Sequence, residues 1–237
     1  MVSIDDAKKA AAVYAVNFLK QGMNIGLGSG STIKWFIHEL GKMVAQGFEI
    51  FAVPTSLETK FLAEQLKIPL ADINILAKLN LTIDGADEID EAGNLIKGGG
   101  GALLQEKIVA AASDELIIVA DHSKQVNKLG KFPLPVEVIP FGWKQVEQKL
   151  LLSGLCKSVS LRKKDNAVFI TDHHHYILDC SFEKIDDPFA LNSALHHIPG
   201  VVETGLFINM AGKSVIGYED GRIEVLKFRQ NNLMQSP

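Results

Sequence analysis

Four short segments of this 237-residue chain concentrate the residue types that chemistry needs. The first, Gly26-Leu27-Gly28-Ser29-Gly30-Ser31-Thr32, is rich in backbone N–H groups and hydroxyls, which favours an anion at the start of the following helix. A phosphate is the natural guest. A P-loop would need Lys before the Ser/Thr. A dinucleotide fingerprint would need a third glycine where Ser31 stands, and an acid where Pro54-Thr55-Ser56 follows the next strand. The bland alternative is a tight turn closed by a hydroxyl cap.

The second segment, Asp84-Gly85-Ala86-Asp87-Glu88, sets three carboxylates at a strand end. With Asp84 and Asp87 about 5–6 Å apart, their repulsion at an effective dielectric of about 20 is about 3 kcal/mol. A cation or a shared proton would relieve it. A divalent metal or a lysine would serve, and Lys97 is the economical choice; a solvated acidic turn is the alternative. The third segment opens on Lys97-Gly98-Gly99-Gly100-Gly101, a run whose entropic cost implies that a ligand or another backbone comes very close. In the helix beyond, Glu106 shares a stripe with Ala102, Val109, Ala110 and Ser113, while Leu104, Ile108 and Ala111 face the other way. That placement half-buries the carboxylate. Desolvation then raises its pKa towards the range of a general base, opposed by the helix N-terminus and a neighbouring lysine; an exposed helix glutamate is the alternative. The fourth segment is Asp121 to Lys124. The run His173-His174-His175 reads as a hairpin turn, since no H-E-x-x-H or C-x-x-C accompanies it, and His196 and His197 read as a helix end.

Elements that would position these segments alternate along the first half. Ser3-Ile4-Asp5-Asp6 resembles a capped helix start and not a signal segment. Ala7, Ala11, Tyr14, Ala15 and Phe18 then recur at helical spacing up to about Lys20. Strand Met23–Leu27, a helix through Leu40 ending near Gly41, and strand Glu49–Val53 follow. A third helix, opened by a Thr55/Glu58 capping box, runs through Leu66. Strand Leu79–Asp84, a helix over Ala102–Ser113 and the apolar strand Leu116–Ala120 complete a parallel sheet covered on both faces. In such a sheet ligands bind outside the carboxyl ends of the strands, where all four segments are expected to fall. From Lys131 the texture changes. Pro133, Pro135 and Pro140 bracket a short strand, then come helix Lys144–Leu152, strand Ser158–Arg162, the strand pair Ala167–Ile170 and Tyr176–Cys180, helix Pro188–His197 and strand Val201–Ile208. This order resembles a ferredoxin-like unit. The chain is therefore expected to be α/β, with a mostly parallel doubly covered sheet in residues 1–130 and a smaller ferredoxin-like α+β domain in 131–208. Tail residues 209–237, with a hairpin around Glu219-Asp220-Gly221, return to the first domain.

Composition narrows the function. Lys plus Arg number 24 against 28 for Asp plus Glu, so the net charge of −4 leaves no cationic excess for a nucleic-acid backbone. No apolar run approaches the ~20 residues of a membrane helix. The two cysteines, Cys156 and Cys180, are too few for a secreted scaffold and read as buried thiols in a reducing compartment. A soluble cytoplasmic protein without nucleic-acid or membrane partners is expected.

Taken together and in order, the motifs resemble ribose-5-phosphate isomerase of the A type. The matching pieces are GxGST at Gly28–Thr32, DGADE at Asp84–Glu88, KGGGGALLxEK at Lys97–Lys107, ADxSK ending at Lys124, LGKFPLPVEVIP at Leu129–Pro140 and IPGVVETGLF at Ile198–Phe207. The histidine run departs from the usual Asn/Gly-rich hairpin and lies outside these motifs. The resemblance implies an aldose-ketose isomerase of the non-oxidative pentose phosphate pathway. Such an enzyme interconverts D-ribose 5-phosphate and D-ribulose 5-phosphate through a cis-enediol(ate), without metal or cofactor. It further implies Glu106 as the base, with Asp84, Asp87 and Lys97 in the catalytic group. Substrate would be bound by Ser29, Gly30, Ser31, Thr32, Asp84, Gly85, Ala86, Asp87, Lys97, Gly98, Gly99, Gly100 and Lys124. Either aspartate could drive ring opening. The phosphate is expected at the Ser29–Thr32 turn with Lys124 as a second contact, and the assembly is expected to be a homodimer or homotetramer. A non-catalytic sugar-phosphate sensor and a CoA-transferase-like enzyme with a glutamate nucleophile are the rival readings.

Overall fold

Short apolar runs separated by amphipathic segments can hide their backbone polar groups only by pairing with one another and covering both faces with helices. The computed structural model, which describes residues 3–76 and 78–228, shows how this chain does so. In chain order the elements begin α1 (Ile4–Ala15), β1 (Met23–Leu27), α2 (Ser31–Ala45), β2 (Ile50–Pro54), α3 (Leu57–Gln65), β3 (Leu81–Asp84), β4 (Glu88–Ile89) and β5 (Leu95–Ile96). They continue α4 (Leu103–Ala111), β6 (Leu116–Asp121), β7 (Leu134–Val138), α5 (Trp143–Leu152), β8 (Ser158–Leu161), β9 (Lys163–Lys164), β10 (Ala167–Val168) and β11 (Tyr176–Ser181). The last are α6 (Pro188–His196), β12 (Val201–Thr204), β13 (Leu206–Phe207), β14 (Ala211–Gly217) and β15 (Ile223–Lys227).

The main sheet has the order β15-β14-β6-β3-β1-β2, parallel throughout except for the β14/β15 hairpin. Alternating side chains divide the core. Ile25, Leu27, Ile83, Ile117, Val119 and Val215 meet the alanine face of α1 and Ile33, Phe36, Ile37 and Leu40 of α2. On the opposite face Ile118, Ala120 and Ile216 meet Ala110 of α4, together with Ile89, Leu95 and Phe207 of a small antiparallel sheet ordered β13-β5-β4. The fold is thus α/β with a mostly parallel, doubly covered sheet. The second main sheet, β12-β7-β11-β8, is antiparallel; with α5 and α6 it follows the ferredoxin-like sequence β-α-β-β-α-β. Tail strands β14 and β15 sit in the parallel sheet, while residues 229–237 lie outside the described residues.

Several local expectations change. Ser3 and Asp6 form a reciprocal capping box at α1. At α3, however, the cap is Ser56, whose hydroxyl accepts the Thr59 N–H, while the Thr55 hydroxyl bonds Ser29. Helix α2 continues past Gly41, which lies against Leu66 at the end of α3, so this glycine marks a helix contact and not a stop. Tyr14 stays exposed while Ala12 is buried, since α1 lies too close to the sheet for a large side chain. The expected strand Val201–Ile208 divides at Gly205, which donates to Pro135 O and accepts from Lys97 N, handing the chain from the antiparallel sheet to the small three-stranded one. Residues 167–168 pair with β9 and not with β11, although residues 171–175 do form a turn around the positive-φ His174. Both cysteines are free thiols; Cys180 is buried, but Cys156 only partly.

Candidate active site

Three of the four chemistry-bearing segments follow the carboxyl ends of neighbouring parallel strands β1, β3 and β6. Lys97 departs from expectation: it follows β5, in the small antiparallel sheet, and reaches the parallel sheet from the side. The segments converge on a cavity of about 140 Å³ lined by Ser29, Gly30, Ser31, Thr32, Gly85, Ala86, Asp87, Lys97, Gly98, Gly99, Gly100, Glu106 and Lys124, together with Lys8 of α1. Asp84 is fully buried behind this wall. Glu88 leaves the group. Its carboxylate turns away to accept the N–H groups of Gly130 and Phe132 at 2.7 and 2.6 Å, because the short strand beginning there points it across the sheet.

Beneath the cavity lies a buried cluster of two carboxylates and one ammonium. Lys97 Nζ donates to Gly85 O at 2.6 Å and lies 3.0 Å from Asp84 Oδ2 and 3.2 Å from Glu106 Oε2. The buried aromatic ring of Phe207 lies beside it, its centroid 5.4 Å from the ammonium. Asp84 is fixed from its other side, Oδ1 accepting the N–H groups of Gly85 at 2.7 Å and Ser29 at 3.1 Å. This packing explains Gly28, since a Cβ there would fall 2.1 Å from Asp84 Oδ1. Asp87 stands apart from the buried trio and accepts the Gly99 N–H at 2.7 Å.

Glu106 is buried at 5 % exposure, deeper than the half-burial its stripe implies, because Lys97 and the glycine turn close over the first turn of α4. Its pKa is pushed up to about 8, first by that burial and then by the charge of Asp84, with Lys97 opposing. Burial alone would lower the Lys97 pKa, but the two carboxylates overcome it and hold the ammonium above its ordinary range. With a permanently charged lysine, one carboxylate can ionise cheaply and the second cannot. Burial pushes the Asp84 carboxyl up as well, against the pull of Lys97 and the two amide donors, so the pair retains a proton well above the ordinary carboxylate range.

Another part of the cavity wall is built for an anion. Helix α2 begins at Gly30 with no side-chain cap and no acidic residue in its first turn, so its free N–H groups and positive dipole end face the cavity. The hydroxyl-cap alternative is therefore not what the turn does. Ser29 uses its hydroxyl elsewhere, bonding Thr55, Ser56 and Thr59 at 2.8, 2.8 and 3.2 Å, and offers the cavity mainly backbone. Lys124 is presented on a 3₁₀ turn whose Ser123 N–H is capped by Asp121 at 2.9 Å. Lys8 was not singled out by the sequence. It lies on the helix that packs across the sheet, 3.1 Å from Asp5, and only the fold brings it to the rim. His175 does not reach the cavity; its Nδ1 pairs with buried Glu137 at 3.0 Å.

Comparison with known proteins agrees with this arrangement. Residues 51–221 match the model of the family described as ribose 5-phosphate isomerase A (phosphoriboisomerase A). A ribose-5-phosphate isomerase A of Bacillus cereus is 57% identical over 215 residues, covering 90% of this chain and 97% of the relative. The solved ribose 5-phosphate isomerase A of Methanocaldococcus jannaschii is 41% identical with a TM-score of 0.89, covering 95% of this chain and 100% of the other. A further solved D-ribose-5-phosphate isomerase, in complex with phospho-erythronic acid, is 38% identical with a TM-score of 0.90, covering 95% and 99%.

The proton held by Glu106 makes folding pH-dependent. Between the ordinary glutamate value of 4.5 and about 8 the unfolded chain loses this proton and the folded chain keeps it, so this group's effect is to lower stability as pH rises through that window. Glu106→Gln removes the penalty and leaves Lys97 paired with Asp84. Its Tm is expected to exceed that of the wild type by about 5 °C or more at about pH 8 and to converge with it towards about pH 4, measured by scanning calorimetry.

Proposed function

Given that the chain belongs to the ribose 5-phosphate isomerase A family, we propose that it interconverts D-ribose 5-phosphate and D-ribulose 5-phosphate through a cis-enediolate, with Glu106 as the base. The observation that carries this reading is the buried Asp84–Lys97–Glu106 cluster at a cavity that is also lined by an uncapped helix start and by Lys8 and Lys124. A base and an anion site in one cavity fit a short sugar phosphate. The family's ligand chemistry agrees, since phospho-erythronic acid, bound by a solved relative, joins a phosphate to a short polyhydroxy acid.

In the aldose direction Asp84 or Asp87 assists ring opening by moving a hydroxyl proton. Glu106 then takes the proton from C2 as negative charge passes to the carbonyl oxygen at C1. Lys97 donates to Gly85 O and is ion-paired with Asp84 and Glu106 at 3.0 and 3.2 Å. The lysine therefore contributes a fixed positive field, which costs no reorganisation at the moment of reaction. The N–H groups of Gly98 and Gly100 supply further donors along the substrate, that of Gly99 being taken by Asp87. A hydroxyl proton moves from O2 to O1, and Glu106 returns its proton to C1, leaving the ketose. General base catalysis contributes about 10²–10⁴-fold, so positioning and enediolate stabilisation supply the rest. These steps require no cofactor or metal.

The phosphate occupies the N-terminus of α2 at Ser31 and Thr32, between Lys8 and Lys124. Residues 1–130 with the returning tail form the unit that performs the chemistry, and 131–208 the smaller unit that supports it. The assembly is a homodimer or homotetramer in the cytoplasm. Among the described residues no helix is long and apolar enough to cross a membrane.

Glu106→Gln should lower kcat by about 10²–10⁴-fold while retaining sugar-phosphate binding. Near-wild-type turnover would remove Glu106 from the mechanism, and binding without conversion by the wild type would return the sensor reading. For the wild type, kcat/KM should rise with pH as Glu106 ionises around pH 8, because only the carboxylate can accept the C2 proton. Lys8→Met and Lys124→Met should each raise KM about tenfold or more, the cost of losing a charged hydrogen bond to phosphate, with smaller effects on kcat. An unchanged KM in both would move the phosphate elsewhere.

A further inference from the structure

The antiparallel sheet has a second face, opposite its apolar core. Leu134, Val136 and Val138 of β7, Leu178 and Cys180 of β11, and Val159 and Leu161 of β8 all point into that core. Alternation sends Glu137, Asp179 and Arg162 to the other side. Arg162 follows β8 directly, and its guanidinium is held by Asp179 in a two-pronged contact, Nε at 2.9 Å from Oδ2 and Nη2 bonded to Oδ1. The remaining edge of the fork faces the glycine turn, where Nη1 donates to Gly98 O at 2.7 Å and Gly99 O at 3.1 Å.

That turn is the one that meets Asp87. Gly101 N donates back to Gly98 O at 3.0 Å, so one carbonyl receives both the turn's own bond and the arginine's. One residue on, Gly99 N–H points at Asp87 Oδ2. The same stretch of chain closes the turn from its far end. Phe169 N donates to Arg162 O at 3.0 Å, and its ring covers Gly101, where a Cβ would lie 2.3 Å from the ring. A positive φ of 86° at Gly101 keeps the turn tight. The planar fork sets two N–H groups side by side on the carboxylate and a third nitrogen on the two carbonyls, a fixed geometry that a single-point ammonium does not reproduce.

We propose that Arg162 is a positioning residue for Asp87, acting through the glycine turn by holding the Gly99 N–H against the carboxylate that lines the cavity. Its kinetic consequence rests on the isomerase reading; its structural consequence does not. The test combines steady-state kinetics on ribose 5-phosphate with the NMR amide signal of Gly99 in isotope-labelled protein. Arg162→Met should lower kcat/KM about fivefold or more and shift the Gly99 amide signal away from its carboxylate-bonded position, as Asp87→Asn does. In the Asp87→Asn background the same substitution should move that signal little further.

An unmoved Gly99 signal, or a signal change that simply adds to that of Asp87→Asn, overturns the proposal; so does a smaller kinetic loss in an enzyme whose wild type is active. If wild-type protein does not convert ribose 5-phosphate, the activity reading fails and the amide signal alone decides this one. If the Met variant does not fold, Arg162→Lys, which keeps the charge without the fork, is judged by the same outcomes.

Discussion

Two buried carboxylates sharing one buried lysine is the constraint on which the rest of the site depends. Removing charged groups from water is costly, and a single ammonium can offset one carboxylate well but not two. Burial pushes both carboxylates up, against the pull of Lys97 and, at Asp84, of two backbone N–H groups. Glu106 is left with a proton it holds to about pH 8, which places it where it can accept and return a carbon-bound proton near neutrality. The instability built into this trio is therefore inseparable from its chemical use.

Each element of the fold answers a requirement of that trio. The parallel sheet delivers Asp84 at the end of β3, between the turns that follow β1 and β6. Helix α4 delivers Glu106 from its first turn, and the small antiparallel sheet brings Lys97 in from the side. The anion end is separate. It uses an unsatisfied helix start and lysines from α1 and the turn after β6, so positive potential is concentrated at one rim of a protein whose net charge is −4. The ferredoxin-like unit meets the glycine turn through Arg162 and Phe169, and meets α4 through Lys107, which bonds Glu203 and Thr204 O, both at 2.7 Å.

Much of this was legible in the chain. Short apolar runs and period-3.6 patterns marked the parallel strands and their helices, and motif spacing singled out Asp84, Asp87, Lys97, Glu106 and Lys124 before any geometry. What stayed hidden shares a physical character: it depends on contacts distant in sequence. Nothing in the lysine-containing first helix distinguishes Lys8 from Lys9 until α1 is laid across the sheet. Glu88 carries the same charge as its neighbours, and only the turn of its strand sends it to the 130–132 loop. Thr55 satisfies a capping pattern, yet Ser56 caps the helix, and both hydroxyls join the cluster around Ser29. The two-residue strands β4, β5 and β13 are too short for any periodicity to reveal.

The most direct test follows the fate of one proton. Ribose 5-phosphate is incubated with the protein in D₂O and the recovered sugars are examined by proton NMR. Transfer through Glu106 predicts conversion in the wild type, with solvent deuterium entering C1 of the ketose and C2 of the aldose pool to the extent that the carboxyl exchanges its proton before returning it, and neither conversion nor exchange in the Glu106→Gln variant. Undiminished conversion or exchange in that variant would contradict a proton passing between carbon and this buried carboxylate.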